Sequence, residues 1–391
     1  MPLFSETVFP MRLEFEQGPI RPPSEARSLL LRVTRNCPWN RCEFCPVYKN
    51  ETFSIRPVED VKRDIDTAGE MVERIRELAW KTGRAGRLDG GLAEALFQDP
   101  ESSDSFRNVV LWVYYGQESV FLQDANSLVV KTSDLAEVLT YLREKFPNMR
   151  RITSYARSQT LARKSVDDLK ILRAAGLNRI HVGLESGSDA VLSFVRKGTT
   201  AAQHIEGGRR VVEAGIELSE YVMPGLGGRA LSEVHARETA RVLNAINPNF
   251  IRLRSLALPQ DTRLRQKWES GEFERLNDEE IVREIRLLVE NLDGITSYVA
   301  SDHMLNLLED VEGQLPQQKP KILASIDRFL SLPQEERLLF QLGRRLGLFR
   351  FLEDLERKDL RLEAEALRGR IGAASPEELE QKIRLLAERY I

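Results

Sequence analysis

The sequence predicts an α/β chain: a partial TIM barrel, (β/α)6, with a helical C-terminal extension. Short apolar runs of β-like pattern alternate with longer stretches of helical period, the order that builds a parallel sheet with helices outside. Several helical stretches stop at glycine, as in the AAG ending at Gly176 and the EAG ending at Gly215. The chain has 391 residues, 42% hydrophobic and 30% charged. That suits one large globular domain or two modest ones and argues against general disorder.

Residues 1–27 read as an N-terminal extension. The opening MPLFSETVFPMRLEFEQG lacks a basic start followed by an apolar core and a small-residue cleavage site, and no stretch approaches the ~18 apolar residues of a spanning helix. A cytoplasmic protein with no membrane association is expected. The barrel core spans 28–277. Its strands are expected near 28–34, 119–123, 150–155, 178–184, 216–223 and 249–256, with helices near 58–80, 133–146, 165–175, 201–214 and 232–246 between them. Residues 81–116 interrupt this rhythm with Gly, Ser, Asp and Arg and then a compact apolar run, and read as an insertion. From 278 to 391 strands are expected to stop and helices to take over; Ser375-Pro376-Glu377-Glu378 reads as an N-cap, a first-turn proline and a capping-box glutamate.

Lys and Arg number 57 against 60 Asp and Glu, a formal charge of -3. No global basic field favours nucleic acid, which is not an expected partner, although a local basic groove stays open. The three cysteines, Cys37, Cys42 and Cys45, lie in a C-x4-C-x2-C spacing directly after the first strand. An odd number so closely packed makes a poor disulfide framework, and a loop at the C-terminal end of a barrel strand is where such folds place their chemistry. Three thiolates there can hold three irons of a cubane cluster and leave the fourth open. Structural zinc would need a fourth ligand from one of the distant histidines His181, His204, His235 or His303. A zinc-stapled loop and three reduced thiols are the alternatives.

The cysteine loop, Phe44 before its third cysteine, and the ordered motifs VFLQDAN (Val120–Asn126), SYAR (Ser154–Arg157), HVGLESGSD (His181–Asp189), KGTT (Lys197–Thr200) and MPGLGG (Met223–Gly228) resemble the radical S-adenosylmethionine superfamily. The branch is that of the oxygen-independent coproporphyrinogen oxidase-like, Elp3-like and cyclase-like enzymes. The likeness covers roughly Leu29 to Asn306, with one residue more between the first two cysteines than the usual spacing. It implies a 4Fe-4S cluster on Cys37, Cys42 and Cys45, S-adenosyl-L-methionine chelated at the open iron, and reductive cleavage to a 5'-deoxyadenosyl radical that abstracts hydrogen from substrate.

By the same resemblance, Phe44 lies against the adenine edge or packs under the loop. Asp124, with backbone groups of residues 123–125, stands where the family presents Gly-Gly-Glu to the methionyl amine. Glu185 accepts hydrogen bonds from ribose or ammonium, or caps the next helix. Gly225, Gly227 and Gly228 allow close approach to the cofactor or form a plain turn. Arg157, Arg252 and Arg254 meet a carboxylate of cofactor or substrate, or are solvated charges.

No cysteine remains for an auxiliary cluster, and no cobalamin-binding segment is expected. The substrate is expected to be small or medium-sized, and the reductant an external donor such as flavodoxin or ferredoxin. A catalytically silent relative that handles haem or regulates is the alternative. Finally, residues 296–306 gather Tyr298, Asp302, His303 and Asn306 and are expected to fold across the open end of the barrel. There Asp302 and His303 would act on the substrate or move a proton; otherwise Asp302 caps a short helix over 304–308.

Overall fold

A computed structural model describes residues 13–373 and 375–388. Its strands are β1 (Leu29–Arg32), β2 (Thr34–Arg35), β3 (Ser54–Ile55), β4 (Ser119–Gln123), β5 (Arg151–Ala156), β6 (Leu177–Glu185), β7 (Glu217–Val222), β8 (Phe250–Leu253), β9 (Tyr298–Ala300) and β10 (Gly313–Gln314). Eight make one sheet in the order β1-β4-β5-β6-β7-β8-β9-β10. Every pair from β1 to β9 is parallel, and β10 returns antiparallel on β9. β2 and β3 form a separate antiparallel ladder. This is a partial barrel of α/β class. Its helices cross between strands at Val58–Lys81, Thr132–Lys145, Val166–Ala175, Ala201–Glu213, Gly228–Ile246 and Asp278–Asn291.

Local signals explain these boundaries. Ser165 and Asp168 make a capping box before Val166, Thr200 and Gln203 another before Ala201. Gly176, at φ +118°, ends its helix in the left-handed region that glycine enters without strain.

The outward strand residues Leu122, Ile152, Ile180, Val182, Leu218 and Ile251 pack into one core with helix residues such as Ile65, Leu139 and Leu243. The alternate residues face inward, and many are polar: Thr153, His181, Ser219 and Arg252 are buried beside Phe121 and Tyr221. Such an interior carries polar and aromatic side chains rather than the layered aliphatic fill of a closed barrel. The rings of Phe121 and Tyr155 meet edge-on at 5.0 Å, and His181 lies 5.9 Å from Tyr155 and 5.4 Å from Tyr221. Glu25, just before β1, seals the N-terminal end. It accepts from Ser28 Oγ at 2.6 Å and Arg151 Nη2 at 3.0 Å, and lies 3.5 Å from His181 Nε2. Burial opposes its ionisation, but His181, Arg151 and Ser28 outweigh burial and hold it at about 2.

One expectation gains detail and another changes. Residues 81–116 are ordered helical structure, with helices Gly90–Gln98 and Asp104–Tyr114. Trp112 is fully buried there and meets the ring of Phe146 edge-on at 4.9 Å. Strands also do not stop at 278: β9 pairs with β8 and brings the parallel strands to seven. Three residues are too short a run for alternation to register. The remaining helices then follow at Lys319–Ser331, Gln334–Arg345, Lys358–Ile371 and Pro376–Glu388. Among the described residues no helix is long and apolar enough to cross a membrane.

The buried histidines set a pH dependence. His204 is fully buried, its Nδ1 2.6 Å from Ser158 Oγ, and burial with the nearby Lys197 and Arg157 charges lowers it from 6.5 to about 3. Burial lowers His181 to about 4, against the pull of Glu25. Below pH 6.5 the unfolded chain binds these protons and the folded chain does not, so stability falls as pH drops from 6.5 towards 4. Urea midpoints should fall over that window, less steeply for His204→Asn; equal slopes would show that His204 is not held neutral.

Candidate active site

The cysteine loop leaves β2 and returns to β3, above the C-terminal ends of β1 and β4. Its two ends are tied to a single carboxylate. Asp124, fully buried after β4, accepts from Arg32 Nε at 2.7 Å, the Asn36 N–H at 3.0 Å and the Tyr48 hydroxyl at 3.1 Å. Burial and the Asp124 charge keep the Tyr48 phenol protonated. Inside the loop, Lys49 Nζ donates to the carbonyls of Asn40 and Cys42 at 3.2 and 2.8 Å, and the Asn40 amide donates to the Tyr48 carbonyl. Asn36 and Asn40 take positive φ, 66° and 46°, which Asn tolerates better than most residues.

The facing wall comes from the end of β6. Its register with β7 shifts between Gly183 and Glu185, and Glu185 takes φ +61°, an irregularity that re-aims the side chain at the strand end. The Glu185 carboxylate accepts from Lys197 Nζ at 2.9 Å, both side chains largely buried. A Cβ on Gly183 would lie 2.3 Å from Glu185 Oε1 and 2.9 Å from Lys197 Nζ, so this pair needs glycine beneath it. Lys197 also lies over the Phe44 ring at 5.8 Å, and its carbonyl lies 3.9 Å from Cys42 Sγ. Burial lowers the Lys197 ammonium pKa, but Glu185 and Cys42 outweigh it and leave a net rise. Arg157 Nη2 donates to the carbonyls of Lys197 and Gly198 at 2.9 and 3.2 Å, and its guanidinium lies 5.3 Å from the Trp39 ring.

Cys37, Cys42, Phe44, Arg157 and Glu185 are therefore brought together, with Cys45 on the same loop. Burial pushes the Cys42 thiol up to about 11, opposed by Lys197 and reinforced by Cys45 and Cys37; burial also raises Cys45. The thiols repel one another as thiolates and sit beside two cations, a donor set that suits an anionic cluster. Among the described residues no three His, Cys, Asp or Glu are placed to share one metal ion. Phe44 also packs against the small apolar cluster of Val191, Val195, Leu226 and Leu256, so it serves the packing role as well.

Other expected residues sit elsewhere. Asp124 holds the loop with both oxygens occupied and presents none to a methionyl amine. Gly225 donates its N–H to Glu284 Oε1 at 2.6 Å, and a Cβ there would meet Ile281 and Leu256 at 3.6 Å, ordinary contact; its N–H is taken up by the 278–291 helix. A Cβ on Gly227 would meet the Leu231 carbonyl, and one on Gly228 the Phe273 ring. Glu185 caps no helix, since Ser188 holds that place before Asp189.

Within residues 296–306, Tyr298–Ala300 lie in the sheet. The segment is pinned by Asn306, whose amide donates to the Leu253 carbonyl and whose oxygen accepts from Ser255. Asp302 and His303 follow β9 at the chemical end of the sheet, and no helix covers 304–308. Arg252 Nη1 donates to Asp302 at 2.5 Å. Lys197 was the missed residue: it stands in the KGTT motif, twelve positions after Glu185, but only the fold turns it back onto β6.

Polar strand ends thus surround a cysteine loop on a parallel partial barrel. The family model described as "Radical SAM superfamily" matches residues 102–239, about a third of the chain. The matched span holds Glu185 and Lys197 but begins after the cysteines. A curated relative, the tRNA uridine(34) acetyltransferase of Methanocaldococcus jannaschii, is 20% identical over 262 residues, 63% of this chain and 45% of that protein. Its Methanocaldococcus infernus counterpart is 23% identical over 114 residues, 28% of this chain and 21% of that one. The chain thus spans less than half the length of the curated relatives it matches. Among solved structures, coproporphyrinogen III oxidase (HemN) from Escherichia coli aligns at TM-score 0.43 with 13% identity, over 90% of this chain and 87% of that one. Elp3 of M. infernus with an N-terminal deletion aligns at 0.38 with 15% identity, over 47% and 48%.

Asp124→Ala should free both ends of the cysteine loop and strand Arg32, which keeps only Glu16 as an acidic partner at 3.0 Å. A loss of about 3 kcal/mol in urea denaturation is expected, with faster proteolysis between residues 36 and 53. Unchanged stability would remove Asp124 as the anchor.

Proposed function

We propose that Cys37, Cys42 and Cys45 hold a 4Fe-4S cluster and that Glu185, Lys197 and Phe44 hold S-adenosyl-L-methionine beside it, for hydrogen abstraction from a substrate in the barrel lumen. The observation that carries this reading is the Glu185–Lys197 pair, set between the cysteine loop and the lumen. When bound, the cluster supplies an open iron and an electron for reductive cleavage of the cofactor. Glu185 is placed to accept hydrogen bonds from a ribose or ammonium group and Lys197 to meet a carboxylate, each exchanging the other for a ligand. Phe44 offers an apolar face to the adenine, and Arg157 with Trp39 keeps the loop against the Lys197–Gly198 turn. Arg41 and Val47 are exposed on the cysteine loop, which leaves it approachable by a donor such as flavodoxin or ferredoxin.

The substrate is small or medium-sized in this reading, held at the mouth where Asp302 and His303 stand. Acetyl transfer does not carry over from relatives matched over less than half their length. Their named substrate is a tRNA, however, and the sequence-level exclusion of nucleic acid draws no support from them. RNA enters the substrate screen beside small molecules.

Protein purified anaerobically should be brown and bind about four irons per chain, and alanine at any of the three cysteines should abolish this. Stoichiometric zinc with no iron, after expression with ample iron, would overturn the cluster. Reduced protein should release 5'-deoxyadenosine slowly without substrate. Glu185→Ala should weaken cofactor binding by about 1–3 kcal/mol at unchanged iron content, and equal affinity would remove Glu185 from the site.

A further inference from the structure

The ends of β8 and β9 gather polar groups that the cofactor reading leaves unused. Arg252 shares the lumen face with Tyr221, its partner across the β7–β8 ladder. It is 8% exposed, pairs with Asp302 through Nη1, and its Nε has no hydrogen-bond partner. Two residues on, the Arg254 guanidinium lies 4.5 Å from the centre of the buried Tyr221 ring. No acidic side chain pairs with it among the described residues. His303 arrives from β9 with its Nδ1 buried and unpartnered. Burial and the Arg254 charge lower it to about 4 against the pull of Asp302, so the ring is neutral at pH 7.

Two guanidinium groups thus stand in a half-buried site whose one carboxylate, Asp302, is paired with Arg252. A desolvated cation costs free energy unless it is paired, and stacking on a ring offsets only part of that cost. An oxyanion is the ligand that satisfies a forked guanidinium most fully. The cofactor's charged end already has the Glu185–Lys197 pair at the end of β6. The Tyr155 phenol, on β5, feels both Arg254 and Glu185, so both charged centres lie near one ring.

We propose that Arg254, with Arg252 Nε and His303 Nδ1, forms a subsite for an anionic group of the substrate, a carboxylate or a phosphate. The inference rests on reading the lumen as the substrate chamber of a radical enzyme. It narrows the substrate to molecules with an oxyanion at one end, anchored on β8 and β9 so that the remainder reaches towards β6.

The test titrates the full-length chain, purified anaerobically, with sodium malonate and separately with inorganic phosphate, at constant ionic strength set by chloride. The His303 ring resonance, assigned by its loss in His303→Gln, reports binding. Saturable shifts are expected, with the His303 pKa raised towards 6.5 by the bound anion. A response to malonate alone marks a carboxylate site, and one to phosphate alone a phosphate site. Arg254→Gln should weaken binding by about tenfold or more, and Arg254→Lys, which keeps the charge, should retain part of it.

No response beyond chloride would overturn the subsite, as would equal binding in Arg254→Gln. Competitive displacement of the probe by S-adenosyl-L-methionine would assign the anion site to the cofactor and overturn it as well. Failure of the cluster or of cofactor cleavage registers separately, in iron content and 5'-deoxyadenosine, neither of which the anion titration measures.

Discussion

The cysteine loop depends on one buried carboxylate. Asp124 lies at the C-terminal end of β4, next to β1 in the sheet, and receives donors from Arg32 on β1, from the backbone at the start of the loop and from Tyr48 near its end. A loop of this length, closed by one flexible anchor, would leave its three thiols free to wander and to oxidise. Closing it at both ends on a group with no room to move confines them. The space is tight: a Cβ on Gly18 would stand 2.1 Å from Asp124 Oδ1, so the N-terminal segment packs directly on the same carboxylate. The side chain that the family resemblance placed on the cofactor is instead the keystone of the cofactor loop.

The opposite wall is preorganised differently. Glu185 and Lys197 neutralise each other at 2.9 Å in a largely buried position, so neither charge waits unpaired for a ligand. Gly183 makes room below them, and Gly198 admits the Trp39 ring, which a Cβ would meet at 2.2 Å. A zwitterionic ligand can replace each partner of such a pair with its own opposite charge. The exchange conserves charge pairing, and the desolvation cost was met on folding. The same economy does not extend to the end of β8, where Arg254 has stacking but no acidic partner among the described residues.

Much of the barrel was legible because its signals are local and periodic. The strands β4 to β8 and the helices between them follow alternation, helical period, capping boxes and terminal glycines, all written within a few neighbouring residues. β9 escaped because its three residues, Tyr298–Ala300, are strand only by pairing with Phe250–Arg252. That the cysteines share one loop is plain from their spacing, and the strand-end position of Glu185 from the pattern before it. Asp124 and Gly225 were placed at the right strand ends and given the wrong partners. Whether a carboxylate faces a ligand or an arginine, or a glycine a cofactor or a helix, depends on contacts 59 to 92 positions away. Lys197 escaped for the same reason.

Net charge was the least informative quantity. A chain of formal charge -3 sets Lys197 and Arg157 beside its thiols and Arg252 and Arg254 at the lumen, because acidic residues concentrate on exposed helix faces such as Glu59, Glu70 and Glu73. Salt screens those surface charges from one another within about 8–10 Å, while charges at the strand ends act through less solvent and keep their reach. The field felt by a molecule entering the barrel is therefore set by a handful of cations at the strand ends, and one without a carboxylate partner binds an anion with no pair to exchange. By that reasoning a slightly acidic protein selects anions at its mouth, and Arg254 is the residue through which it does so.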